Sequence, residues 1–422
     1  MTVAAREGRG LGPAFTRLWG AALGSNLSDG FAATAAPLLA ASLTRDPVVI
    51  SLVGVAQFLP WLLLGVPSGG VVDRFDRRRV AAVACGVRAV VAAVVCVLVA
   101  TDHMAIAVLI AAVFVFGAFE TMADGSVQAM VPSIVGRDGE GGDGVGGDGV
   151  GGRLVRANSR IQATEVVAQN FVAAPLAGVL FAVAAALPFV LHSAGYVLAA
   201  VLALMLPRSA ARPPRGAEEP KEKVTRRSLA EGFRFLAGHP VLRRLWTVSI
   251  LLALFNALAQ AVFVLYVLDL LGVPTAVYGA FAMAAAVGAL LGAVVAPRLV
   301  RRFGRGPVMV ASVLLTGTSY ALCGFVPHAA AAGAGMLLVG AGVATWNIVS
   351  VTVRQELVPS RLLGRVHGAW RTLGWGLIPV GTFIGGLLGS TDLRLPFIVG
   401  GMGIAIAGLV VRRSLLVLPD GD

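Results

Sequence analysis

The sequence predicts an all-α membrane protein in which twelve transmembrane helices form two pseudo-symmetric six-helix bundles. Three observations carry this. Of 422 residues, 57% are hydrophobic and 13% charged. A soluble globular chain has roughly 25% charged residues, so most of this one must face lipid or a bundle interior. Apolar runs close to the roughly 20 residues needed to cross a bilayer follow one another along the chain. A basic turn is also written twice. Gly69 to Arg79 reads GGVVDRFDRRR, and Gly292 to Arg305 reads GAVVAPRLVRRFGR. The copies stand about 223 residues apart, each between two apolar runs, and such internal repeats mark secondary transporters.

The first run, Phe15–Ala41, follows Arg6 and Arg9. It is longer than the roughly 7–15 residues of a signal-peptide core and it contains Asp29, so it reads as a retained span. The next three are Val48–Val72, Val80–Ala100 and Met104–Ala123. Ile161–Ala186 and Leu187–Leu206 follow, with almost no loop between them. After a polar stretch come Trp246–Leu271, Val277–Val300, Val308–Val326, Ala329–Val353, Val366–Gly389 and Leu395–Val411. The expected organisation is a first bundle over 1–206, a linker over 207–244 and a second bundle over 245–422. Within the linker, SLAEGFRFLAGHPVLRRLW has the pattern of a short amphipathic surface helix.

Charge orients the spans. Lysine and arginine total 34 against 22 acidic residues, a net charge of +12. With both termini and the linker in the cytoplasm, all the basic residues fall on that side except Arg45, Arg394 and the intramembrane Arg88. The basic balance therefore suits a membrane surface and not nucleic acid. Cys85, Cys96 and Cys323 all lie in apolar runs without a CxxC pair, so they read as packing residues, with no disulfide or metal role expected. No metal role is expected of His192 or His328 either, and no cofactor.

The halves align by eye. Val131–Pro132–Ser133 matches Val358–Pro359–Ser360, about 227 residues on, whereas Gly178 matches Gly386 only about 208 on. The first half therefore carries extra residues in the glycine-rich loop over 136–152. That loop holds a formal GxGxxG, but it follows a membrane helix and lacks a strand before it, so it reads as an inserted linker.

The repeated turn, with Gly69, Asp73, Arg74, Asp76, Arg77 and Arg78 in a G-x-x-x-D-R-x-D-R-R pattern, resembles the major facilitator superfamily. Asp76 stands where that turn usually has glycine. ETMADGSVQAMVPSIV, RANSRIQATEVVAQN, GFRFLAGHPVLRRL and QELVPSRLLGRVHGAWRTLGWG resemble the drug:proton antiporter branch that holds macrolide and enterobactin exporters. The resemblance covers nearly the whole chain except the glycine loop. It implies two bundles rocking around a central cavity, and proton exchange in place of ATP hydrolysis. The sequence agrees negatively, having no G-x-x-x-x-G-K-[ST].

Charges inside a bilayer cost at least roughly 2.5–3.5 kcal/mol each, so they are the first functional candidates. Asp29, Arg88, Glu120 and Glu165 are the expected proton-coupling or cavity residues, with Glu165 read into the first turns of the fifth span. Burial disfavours the charged form of a carboxylate, which makes Asp29, near the middle of its run, the leading proton carrier. A permanent Asp29–Arg88 brace between the first and third spans is the alternative. Asp269, near the far end of the seventh span, reads as solvated. Phe31, Gln57, Asn256, Gln260 and Asn347 are candidates for the substrate cavity.

A second site is a latch. The resemblance implies that Asp73 caps the start of the eleventh span near Arg365–His367. Arg77 and Arg78 would reach a carboxylate such as Asp124, with Gly69 and Arg74 completing the turn. Pro297 stands in the second copy where an aspartate would, so a weaker clasp is expected there. Gly65 and Gly69, Gly288 and Gly292, and Gly381, Gly385 and Gly389 read as packing seams.

The sequence thus points to a bacterial plasma-membrane exporter of amphipathic small molecules, acting as a monomer with protons as its partner. A proton-coupled nutrient importer on the same fold remains open. So does a non-transporting membrane sensor or assembly protein, which would show no flux in proteoliposomes. An enzyme is not expected.

Overall fold

The structure is a computed structural model that describes residues 11–137, 150–208, 226–359 and 362–416. Most of the glycine loop and the start of the linker lie outside them. Among the described residues the chain is helical throughout, with no strand. The first half comprises α1 (Gly12–Leu43), α2 (Pro47–Arg74), α3 (Arg77–Ala100), α4 (Ile106–Arg137), α5 (Val150–Val166), α6 (Ala174–Val183) and α7 (Leu187–Leu204). A π-helical segment, Val167–Ala173, joins α5 to α6 into one fifth span. The linker forms α8 (Arg226–Gly238).

In the second half, α9 (Pro240–Ala261), the short α10 (Phe263–Leu265) and a π turn over Tyr266–Leu270 make the seventh span. The rest are α11 (Gly279–Phe303), α12 (Arg305–Phe325), α13 (Ala329–Leu357), α14 (Leu363–Gly376), α15 (Ile378–Gly389) and α16 (Leu395–Leu415).

Among the described residues twelve spans result, and ten of them are long and apolar enough to cross a bilayer unaided. The two others have clear reasons. α1 is long enough but carries Ser25, Asn26, Ser28, Asp29 and Thr34 along its middle. The eleventh span is broken between α14 and α15, where Pro379 sits at the start of α15 and leaves one short apolar half. Local chemistry sets several starts. Asp46 caps α2 by accepting from the Val48 amide at 2.8 Å. His328 caps α13, its ring nitrogen accepting from the Ala330 amide at 3.3 Å. The fifth and sixth spans are separated only by Ala184–Ala186, with Pro188 in the first turn of α7.

α1, α3, α4 and α7 pack together in the first half, with α2 against α4. In the second half α11 packs on α13, and α12 on α13 and α16. The halves meet at α2 with α15 and at α6 with the start of α11. Those meetings lie at the end away from the chain termini, here called the far end. There Gly178 faces the Ala276 carbonyl so closely that an added Cβ would stand 3.0 Å from it. Gly386 approaches the Pro47 carbonyl as closely. Arg45 also pairs with Asp269 across the halves at 2.7 Å, both well exposed. An apolar plug that includes Leu38, Val53, Phe116 and Phe189 fills the far end, and Val264 and Leu265 of the opposite half enter it. Toward the terminus-bearing end the halves part: Gly65, Gly69 and Gly70 of α2 face open space.

α8 is docked and not free. Gly232 lies against the Arg365 backbone, Arg365 pairs with Glu231, and Leu236 is buried with Leu242, Val366 and Ala369. The linker helix is thereby fixed to α14. The glycine loop has an expected consequence of its own. Deleting 140–149 should leave transport within about twofold of the parent at equal membrane level, because the second half closes the matching connection without it. Transport rates of the deletion in liposomes would check this.

Candidate functional site

Between the parted halves lie two adjoining chambers. The first, about 260 Å³, belongs mainly to the first half. Asp29 of α1, Glu120 and Asp124 of α4 and Glu165 of α5 line it, with Gln57, Phe58 and Trp61 of α2. Trp375 of α14 closes its side, 5.0 Å from Trp61 between ring centres and 6.2 Å from Phe58. The second chamber, about 460 Å³, lies between the halves and is lined by Gln57, Gln169, Asn170, Asn256, Gln260 and Thr382 among apolar neighbours.

Helical spacing builds the acidic wall. Glu120 and Asp124 are four residues apart and share one face of α4. Asp29 faces them from α1. Behind the carboxylates sits Arg88 of α3. Its Nη2 donates to Asp29 Oδ1 and lies 3.6 Å from Glu120 Oε2. Its side chain is 2% exposed, against 16% for Asp29 and 27% for Glu120, so the carboxylates reach the chamber and the compensating cation does not. Tyr196 of α7 completes the cluster: its hydroxyl donates to Asp29 Oδ1 at 2.5 Å, and its ring lies under the Arg88 guanidinium at 4.2 Å. Arg88 Nε and Nη1 and both ring nitrogens of His192 are buried without a hydrogen-bond partner.

The other expected residues separate into those brought to the chambers and those kept from them. Gln57 lines both chambers, and Asn256 and Gln260 the second. Asn256 accepts from the Tyr320 hydroxyl. Phe31 is a correction: it is buried against Ala173 and Ala177, because that face of α1 packs on the fifth span. Asn347 is exposed on α13 and lines neither chamber. Glu165 is also corrected. The fifth span begins by Val150, so Glu165 lies well inside it, immediately before the π segment.

That segment adds residues the sequence did not single out. A π turn widens the helix and re-aims side chains, often at functional sites. Here it brings Gln169 and Asn170 to the chamber, and Gln169 Nε2 donates to Asn26 Oδ1 at 2.9 Å. Apolar periodicity holds no mark of such a turn. Tyr196 and His192 were visible only as a four-residue pair inside an apolar run.

Of the expected latch residues, Arg77 and Arg78 are held within the first half. Asp76 caps α3, accepting from the Arg78 amide at 3.0 Å, and pairs with the Arg78 guanidinium at 3.1 Å. This gives the aspartate in place of glycine a structural role. Partial burial pushes the Asp76 carboxyl up, but hydrogen bonds from Arg78 and the Arg79 amide, with the Arg78 charge, outweigh it and hold it below the usual carboxylate value. Its contribution to stability is thus present above the unfolded-state value and lost as pH falls through the lower folded one.

Arg77 Nη1 donates to the Ala129 carbonyl at 3.0 Å, and Arg78 Nη1 to the Leu206 carbonyl at 2.6 Å. Neither of these bonds is to Asp124. Arg74 is exposed, Gly69 faces open space, and the side chain of Asp73 lies outside the described residues. In the second half Arg305, at the start of α12, grips Glu356 with two bonds of 2.5 and 2.8 Å. The pair matches Arg77 and Ala129 about 227 residues earlier. The second copy thus holds an ion pair where the first holds a carbonyl cap.

No group of three or more histidine, cysteine or acidic side chains with metal-binding geometry occurs among the described residues.

Comparison with known proteins follows the same lines. The profile of the Major Facilitator Superfamily matches residues 18–381. The multidrug efflux pump Tap of Mycolicibacterium fortuitum is 26% identical over 400 residues, 92% of this chain and 93% of that protein. The enterobactin exporter EntS of Escherichia coli O1:K1 / APEC is 25% identical over 415 residues, 96% of this chain and 92% of that protein. Among solved structures, a bacterial homologue of the iron transporter ferroportin in an inward-facing state superposes with a TM-score of 0.73 at 17% identity, covering 96% of this chain and 99% of that one. The nucleoside transporter NupG gives 0.73 at 14% identity, covering 97% and 100%.

Proposed function

The chain belongs to the major facilitator superfamily of membrane transporters, and from that premise we propose that it exports amphipathic small molecules, favouring cations, in exchange for protons. The observation that carries this reading is the sidedness of charge in the first chamber. Four carboxylates line it, and Arg88, the cation paired with Asp29 and close to Glu120, is buried behind them. Such a wall attracts a cation and holds groups that can exchange it for a proton. Phe58, Trp61 and Trp375 offer flat apolar contact beside it. The full-length likeness to Tap and EntS, named as an efflux pump and an exporter, supports the outward direction.

In this reading the protein sits in a bacterial plasma membrane as a monomer, with both termini in the cytoplasm, as the basic loops favour. The two bundles rock about the chambers, and the form described here is open toward the terminus-bearing end. Purified protein in liposomes should move ethidium, an amphipathic cation, against its gradient when a pH difference is imposed. Abolition of that movement by a protonophore is also expected. Ethidium movement down a proton gradient in the same direction as protons would favour an importer, and no flux at all would favour a non-transporting role.

The basic turn has its own test. In the proposed cycle Asp73 meets the start of α14 only when the terminus-bearing end is shut. Asp73→Asn should then cut the transport rate about tenfold or more while ethidium binding stays within about twofold, because the lost charge is at a state-dependent contact away from the chamber. Transport at the parental rate would remove the latch.

A further inference from the structure

His192 stands apart from every role assigned above. It is 0% exposed on α7, and neither ring nitrogen has a hydrogen-bond partner. Phe116 packs on the ring at 4.7 Å and Tyr196 at 4.8 Å, with Phe189 at 6.4 Å. A phenylalanine or leucine would fill this site without stranding a donor and an acceptor. The position explains what a histidine adds. One turn toward the terminus-bearing end is Tyr196, hydrogen-bonded to Asp29. On the other side, Phe116 and Phe189 belong to the far-end plug. His192 therefore separates the plug from the Asp29 cluster.

We infer that His192 is the proton-relay residue through which Asp29 exchanges protons with water at the far end. The inference rests on the proposed proton exchange at Asp29. In the form described, Asp29 is reached from the chamber and the plug shuts off the far end. The plug contains Val264 and Leu265 from the second half, so rocking the halves apart there must open it. Water then reaches the ring. One ring nitrogen accepts a proton from hydronium, and the other passes its proton through the entering water to the Asp29 carboxylate. The imidazole returns to neutral with its tautomer exchanged, and Asp29 becomes a neutral acid. No oxidant or other reactant is needed.

The charged and titratable groups around this path are Asp29 on α1, Arg88 and Cys85 on α3, Glu120 on α4 and Tyr196 on α7 itself. Arg88 releases Asp29 when that carboxylate takes the proton. The relay and the ion pair thus alternate as partners of one group.

The test uses the full chain in liposomes with ethidium. Two rates are read: accumulation driven by an imposed pH difference, and ethidium–ethidium counterflow at equal pH, which needs no net proton movement. His192→Phe should slow driven accumulation at least about tenfold and leave counterflow within about twofold. His192→Ala should show the same split, and imidazole added at the far side should restore driven accumulation, with benzene of similar size giving no rescue. Parental driven accumulation in His192→Phe overturns the relay. Equal loss of both rates, or equal rescue by benzene, also overturns it and leaves His192 as a packing residue. The underlying reading fails separately: if Asp29→Asn still accumulates ethidium uphill, or the parent moves none, proton exchange at Asp29 falls and the relay with it.

Discussion

Replacing Asp29 with asparagine is expected to abolish ethidium accumulation driven by a pH difference. The loss should be at least about a hundredfold at equal protein level, because the change removes the group proposed to carry the proton. The fold should survive it. Asparagine keeps a side-chain oxygen that can accept from Arg88 and from the Tyr196 hydroxyl, both of which donate to Asp29 Oδ1; the third donor, the Ser25 hydroxyl, is 3.5 Å from Oδ2. Arg88 also keeps Glu120 at 3.6 Å. Binding of ethidium should weaken modestly, since Glu120, Asp124 and Glu165 still line the chamber. Counterflow at equal pH should persist. That separation distinguishes a proton carrier from a fixed brace. A brace broken by the change would lower protein yield and both transport modes together. Glu120→Gln and Glu165→Gln run in parallel assign the proton site: uphill accumulation that survives Asp29→Asn and is lost in one of them moves the carrier there.

Much of this arrangement was legible in the sequence because membranes make charge conspicuous. Asp29, Arg88 and Glu120 interrupt runs of alanine, valine and leucine, and the structure gathers all three within one cluster. The spans and the internal repeat were legible for the same reason, since a bilayer demands long apolar helices. Three features were not. The π segment at Val167–Ala173 depends on how the fifth span packs on α1, where the Gly30 backbone is pressed against Gln169 and Ala173. Phe31 looked like a cavity aromatic because α1 spreads Ser25, Asn26, Ser28, Asp29 and Thr34 around its circumference, so no single polar face marks the side turned to the cavity. The stranded nitrogens of His192 follow from the aromatic rings that surround it, Phe116 of α4 and Phe189 and Tyr196 of α7.

The glycine seams show the same limit, and they carry the second large expected effect. Gly65 with Gly69 and Gly288 with Gly292 have identical spacing. In the structure the first pair faces open space. Gly288 presses on the Leu337 carbonyl, Gly292 comes to 2.5 Å of the Ala341 carbonyl for an added Cβ, and Gly340 of α13 meets the Ala285 carbonyl in return. α11 and α13 therefore cross backbone to backbone, with no side chain between them. A methyl group at Gly288 cannot be absorbed by rotating a flexible neighbour, so the helices must separate. Gly288→Ala should destabilise the protein by about 1–3 kcal/mol, the usual cost of overpacking. Gly288→Leu should leave little folded protein. Gly65→Ala should instead be neutral or stabilising by up to about 1 kcal/mol, since alanine suits a helix better than glycine and meets nothing there. Thermal unfolding of the detergent-purified variants reads all three. A Gly288→Ala protein as stable as the parent would show that the α11–α13 crossing is looser than drawn. A marked loss in Gly65→Ala would mean that the open end of α2 closes onto a partner in the resting protein.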